Sequence, residues 1–228
     1  MTMEEKAAQL ITLWEQKAKI QTDEGRFDPQ EATRNFPNGL GQLARPSDKR
    51  GVVTTNTGAA GAAAGSVNRS AADTAEYVNA AQRWAMEQTR LGVPILMHEE
   101  ALHGYVARGA TSFPQSIALA SSWDPNLLQE VFSVAAREMR ARGATLALAP
   151  VVDVARDPRW GRIEETYGED PHLVSEMGLA AIRGFQGTKL PLAPDKVMVT
   201  LKQIASAVGV SSATVSRVLN FDETLSVT

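Results

Sequence analysis

Cysteine is absent from the 228 residues, which excludes disulfides and thiolate chemistry and leaves the redox compartment open. No apolar run approaches the roughly 20 residues that a membrane-spanning helix needs. A strong charge of one sign is also lacking. Lys and Arg number 23 against 26 Asp and Glu, a net charge of −3, so any attraction to nucleic acid or to an anionic membrane must be local. The small-residue segment over residues 51–70 lacks the GK[ST] ending of a phosphate cradle and reads as a loop. No signal peptide is visible, because Met1 leads directly into a charged amphipathic stretch; the chain as written reads as cytoplasmic. What remains is ordinary for a globular protein: 43% hydrophobic residues, enough for a core, in a length that suits one large domain or two small ones.

Along the chain, helix and strand patterns alternate. Thr2 can cap a helix over about residues 3–19, with Glu5 at the capping-box position and Ala7, Leu10, Ile11 and Trp14 at helical spacing. Residues 21–38 are polar and loop-like, and residues 39–43 form a short strand candidate. A helix over 71–89 presents Ala75, Val78, Ala81, Trp84 and Ala85 on one face. The strand over 92–97 delivers His98, Glu99, Glu100 and His103 at its end. The two histidines, five apart, suggest a metal, yet no third ligand of suitable spacing is evident and His172 sits in another segment; neither a metal nor a cofactor is expected. Asp124 caps a helix to about residue 142, and a further helix covers about 173–185.

The most informative stretch, residues 147–171, reads ALAPVVDVARDPRWGRIEETYGEDP. It opens as a buried strand through Leu146, Leu148, Val151, Val152 and Val154. Nine charged residues then crowd into eighteen positions from Asp153 to Asp170, interleaved with Trp160 and Tyr167. Guanidinium forks and carboxylates hydrogen-bond hydroxyls, and an aromatic ring supports the C–H face of a sugar. The alternative is a surface loop cross-braced by ion pairs. Hydrolysis of a glycosidic bond needs two carboxyl groups, and from the residues alone Glu100 pairs with Asp153 or Asp157.

RDPRWGRIEETYGEDP resembles the signature loop of glycoside hydrolase family 3, the β-glucosidases and β-xylosidases, and the similarity extends from MTMEEKAAQL to about residue 196. The resemblance implies an α/β fold, a (β/α)₈ barrel of which strands near 40, 95, 148 and 198 make about half. It implies a β-linked glucoside or xyloside as ligand, with Glu100, Arg162 and Lys202 at sugar-binding positions and His103 shaping the Glu-Ala-Leu-His-Gly loop. Gln203 departs from the family's Lys-His pair. The family's nucleophilic aspartate lies on a later strand and its acid/base generally further on, so no catalytic residue is assigned and no turnover is expected. Relatives are often exported. Open barrel edges imply self-association.

LKQIASAVGVSSATVSRVLN, residues 201–220, has the spacing of a helix-turn-helix, with Ala205 at the close approach, Gly209 at the turn, and Val215 and Val218 between the helices. The start Met198-Val-Thr-Leu-Lys-Gln-Ile-Ala resembles the amino terminus of LacI-family repressors. This implies a division into a partial barrel (1–197) and a partial helix-turn-helix (198–228), with Ser212, Ala213, Thr214, Ser216 and Arg217 toward DNA. Lys202 and Arg217 are the only basic residues there, so any DNA contact is expected to be weak. Three interpretations follow: a hydrolase fragment keeping part of a sugar site, a DNA-binding module, or a fusion at a shared Thr-Leu-Lys string with no activity of its own.

Overall fold

The structure is a computed structural model. Residues 1–49, 68–189 and 191–199 are described. The chain divides into two compact units: one of residues 1–99, 107–109 and 141–145, and one of residues 100–106, 110–140 and from 146 onward.

The first unit contains α1 (Met3–Ala8), β1 (Thr12–Leu13), α2 (Pro29–Asn35), β2 (Gln42–Ala44), α3 (Ala71–Gln88) and β3 (Leu96–Glu99). β1 runs parallel to β2, and β2 parallel to β3, with Leu13 opposite Leu43 and Leu43 opposite Met97. Alternation along the strands sends these three side chains to one face. There they join Tyr77, Val78, Ala81, Trp84 and Ala85 of α3 in a buried core. Each large apolar side chain in it contributes roughly 1.5–3 kcal/mol. The Trp84 indole N–H donates to Thr33 Oγ1 at 2.9 Å, so its polar edge is satisfied. The opposite face of the strands is polar: Thr12 Oγ1 donates to Gln42 Oε1 at 2.8 Å, and Gln42 Nε2 donates to His98 Nδ1 at 2.5 Å.

Several elements differ from the sequence expectation here. The capping box of Thr2 and Glu5 is present, yet the helix ends at Ala8 instead of about residue 19. Its inward positions are Glu5 and Ala8, and Glu5 is buried against Arg90, whose Nε and Nη2 each donate at 2.6 Å. Leu10 is 87% exposed, and Ile11 and Trp14 are also exposed, so the helical spacing of apolar residues marked no core. Pairing of Thr12 and Leu13 with β2 prevails over helix propagation. Residues 21–38 are not all loop, because Asp28 caps α2 and Pro29 opens it. The strand expected over 39–43 lies at 42–44 and is the second strand, giving five strands among the described residues where four were expected.

The second unit contains α4 (Ser116–Ala120), β4 (Leu146–Ala147), α6 (Pro171–Gln186), β5 (Met198–Val199) and most of α5 (Pro125–Ala141). β4 and β5 are parallel, with Leu146 opposite Met198. Only two residues of the expected strand through 154 pair; Ala149, Val151 and Val152 are buried in irregular backbone. Asp124 Oδ1 caps α5 by accepting from Asn126 and Leu127 N–H, and Asp170 caps α6 likewise at His172 and Leu173. Each cap is worth about 1 kcal/mol. α5 and α6 pack closely, with the Phe132 and Phe185 ring centroids 4.8 Å apart. Gly184 permits it: a Cβ there would lie 2.6 Å from the Gln129 carbonyl oxygen. Parallel strands alternating with helices are a portion of an α/β barrel. The expected helix-turn-helix, with Lys202, Ser212, Ala213, Thr214, Ser216 and Arg217, lies outside the described residues.

Candidate functional site

Glu100 follows β3 directly and opens a loop that closes on itself in the second unit, where Val106 N–H donates to the Glu100 carbonyl at 2.9 Å. His103 braces this loop. Its Nδ1 donates to the Phe113 carbonyl at 3.0 Å, and Phe113 N–H donates back to the His103 carbonyl at 2.8 Å. Gly104 sits at φ +106°, and a Cβ there would meet the Thr111 carbonyl at 2.3 Å, so only glycine lets the two strands of the loop touch. His103 is half-buried and spends Nδ1 on backbone.

The charged loop after β4 is folded by its own side chains. Ala155 N–H donates to the Gly168 carbonyl at 2.9 Å and closes its base. Thr166 is buried, donating to the Ile163 carbonyl and accepting from Gly168 N–H. Asp157 takes a two-pronged grip from Arg159, at 2.9 and 2.7 Å. That hydrogen bonding holds the Asp157 carboxyl below its ordinary range. Arg162 Nε donates to Glu165 Oε2 at 2.9 Å, and Nη2 closes on the same oxygen at 2.5 Å. Ion pairs therefore cross-brace the loop, as in the second of the two readings of this stretch.

Arg162 is influenced by more groups than its ion-pair partner. Its guanidinium is held above its ordinary pKa first by the Glu165 hydrogen bond and then by the fields of Glu165, Asp153 and Glu100. Of the two aspartates weighed with Glu100, Asp153 is the one whose field reaches Arg162. Asp157 is engaged by Arg159 instead. Carboxylates beside a guanidinium suit neutral polyols, whose hydroxyls donate to carboxylates and accept from guanidinium. Trp160 is 38% exposed and available as a platform, whereas Tyr167 is 1% exposed and is not. Burial pushes the Tyr167 phenol well up, and its hydroxyl has no hydrogen-bond partner among the described residues. Asp170 is consumed by its cap.

A second cluster, in the first unit, was missed from sequence. Lys17 is fully buried and donates to the Arg45 and Asp48 carbonyls at 2.6 and 2.7 Å. Arg69, 1% exposed, donates to the carbonyls of Gly25, Pro46 and Asp48 and to Gln21 Oε1, and its guanidinium lies 3.7 Å from the Tyr77 ring centroid. Buried Glu99 accepts from Ser47 N–H at 2.8 Å and Ser47 Oγ at 3.0 Å. Burial lowers the Lys17 pKa to about 8, and burial, Arg45 and Lys17 lower that of His98 to about 4. His98 and Glu99, grouped with Glu100 in the sequence, are therefore structural members of the strand.

The chain matches the description "Glycosyl hydrolase family 3 N terminal domain" over residues 2–222, a span that includes all of the stretch with repressor-like spacing, residues 201–220. It is 34% identical over 195 residues to β-glucosidase C of Emericella nidulans, covering 82% of this chain and 28% of that protein. To a β-xylosidase of Formosa agariphila it is 50% identical over 105 residues, covering 43% and 14%. The solved structure of a β-glucosidase from Erythrobacter marinus superposes with a TM-score of 0.72 at 32% identity, covering 88% of this chain and 24% of that one. The chain spans between 14% and 28% of the length of these relatives.

Proposed function

From the premise that the chain belongs to glycosyl hydrolase family 3, as part of its N-terminal domain, we propose that it binds the terminal sugar of β-linked glucosides or xylosides through Glu100, Arg162 and Lys202, with His103 positioning the Glu100 loop. The observation that carries this is the match of residues 2–222 to the family's N-terminal domain, and the fields of Glu165, Asp153 and Glu100 on Arg162 agree with it. A guanidinium so surrounded offers donors, and the carboxylates offer acceptors, to adjacent ring hydroxyls. Lys202 enters by the family resemblance, and the substitution at Gln203 removes a histidine that the family places beside it. These 228 residues hold sugar and do not hydrolyse it, because by resemblance the nucleophile belongs to a later strand. With the polypeptide of this sequence, 4-nitrophenyl β-glucoside and β-xyloside are expected to turn over at the rate of buffer. A rate well above buffer that disappears in Glu100→Gln would overturn the non-catalytic reading. Light scattering is expected to show self-association through the edges of β1 and β5.

A second reading rests on the repressor-like spacing of residues 198–220. In it Ser212, Ala213, Thr214, Ser216 and Arg217 contact DNA weakly, with affinities of roughly 10⁻⁴ to 10⁻⁶ M that fall with salt. Tight operator binding abolished by Arg217→Ala would favour that reading over the sugar site.

A further inference from the structure

Arg45 holds a backbone conformation that a bulky side chain rarely adopts, φ +45°, immediately after β2. Non-glycine residues persist in this region only where their surroundings over-determine them, and such positions concentrate at ligand sites. Here the surroundings are extensive. Arg45 N–H donates to the His98 carbonyl at 2.8 Å, and its carbonyl accepts from buried Lys17 at 2.6 Å. Asp48 N–H returns to the same carbonyl at 3.0 Å, and Glu99 grips Ser47 through both main chain and hydroxyl. A fully buried lysine and a nearly buried arginine are thus committed to the carbonyls of one short turn.

That turn presents the Arg45 guanidinium 5.2 Å from the ring centroid of Trp14, the residue immediately after β1. By strand alternation Trp14 shares the face of Thr12, where Gln42 and His98 also lie, and not the apolar core face of Leu13. Trp14 as a whole residue is 38% exposed. Both residues stand at the carboxyl ends of parallel strands, the end at which α/β barrels build their sites.

We propose that Trp14 and Arg45 form a second saccharide-contacting platform, in which the exposed part of the indole takes the C–H face of a pyranose and the guanidinium donates to its hydroxyls. The platform uses none of the residues of the Glu100–Arg162 site. That its ligand is a β-linked oligosaccharide rests on the family reading.

The test is calorimetric titration of the full 228-residue chain with cellotetraose and xylotetraose, with methyl β-D-glucoside as the single-sugar control. In Arg162→Met, methyl glucoside binding is expected to be lost while a tetraose still binds. Adding Trp14→Ala then weakens the tetraose at least tenfold, and Trp14→Phe restores most of it. Arg45→Gly also weakens it at least tenfold while leaving the melting temperature unchanged or higher, since glycine accepts φ +45° without strain. A merely structural turn would not separate affinity from stability in this way. The proposal is overturned if tetraose affinity in the Arg162→Met chain is absent, or if it is indifferent to Trp14→Ala and Arg45→Gly. Failure of the family site shows separately, as methyl glucoside binding that is missing from the unsubstituted chain or unchanged by Arg162→Met.

Discussion

The turn at residues 45–48 and the loop at residues 153–170 are both rich in charge, and they use it in opposite ways. Around the turn, Lys17, Arg69 and Glu99 are withdrawn from water and bond chiefly to main chain. In the loop, Asp157, Arg159, Arg162 and Glu165 pair with sequence neighbours two or three residues away, and all but Glu165 stay largely in solvent. Buried charges that lose a partner leave others desolvated and uncompensated, so each member is costly to remove. Exposed pairs are worth little to stability and remain free to exchange a neighbour for a ligand hydroxyl. Charge density alone does not separate a scaffold from a site; burial and the choice of main-chain or side-chain partner do.

The sharpest way to break the comparison is to delete one arginine from each region. Arg69→Met is expected to lower the unfolding free energy by about 3–5 kcal/mol in a urea titration, because five hydrogen bonds to buried or part-buried acceptors end at once. If the two regions used charge alike, the cost would fall to the level of a surface pair. A smaller effect is expected from pH. The His98 pKa is depressed to about 4, so between pH 6.5 and 4 the unfolded chain takes up a proton that the folded chain refuses. Stability contributed at neutral pH is lost as pH falls through that window, by about 1–3 kcal/mol, and His98→Asn flattens this part of the profile. The smallest effect is expected from Arg159→Met, below about 0.5 kcal/mol, since its ion pair with Asp157 is exposed.

The two regions were also unequally legible. The 153–170 loop announced itself because its charges are contiguous and carry a family pattern. The helices with strong caps, at Ser70, Asp124 and Asp170, could be placed from sequence to within two or three residues. The buried cluster could not, because Lys17, Arg69 and Glu99 are scattered over more than eighty positions and each looks like a surface residue in its own segment. β1 was missed for a related reason: two residues show no alternation, and the apolar spacing of Leu10, Ile11 and Trp14 imitated a helix face. What decided both was pairing with segments distant in sequence, such as Leu13 with Leu43 and Ser47 with Glu99. Asp28-Pro29 was a legible helix start that compositional polarity obscured.

The central claim is that the exposed arginine serves ligand and the buried one serves fold. Thermal melts of the unsubstituted chain, Arg162→Met and Arg69→Met, each with and without methyl β-D-glucoside, test it directly, because a ligand that binds only the folded chain raises its melting temperature. The account predicts that Arg162→Met melts like the unsubstituted chain without ligand and gains nothing when ligand is added, while Arg69→Met melts far lower. A ligand-induced rise that survives intact in Arg162→Met, or a loss of stability there as large as in Arg69→Met, would contradict it.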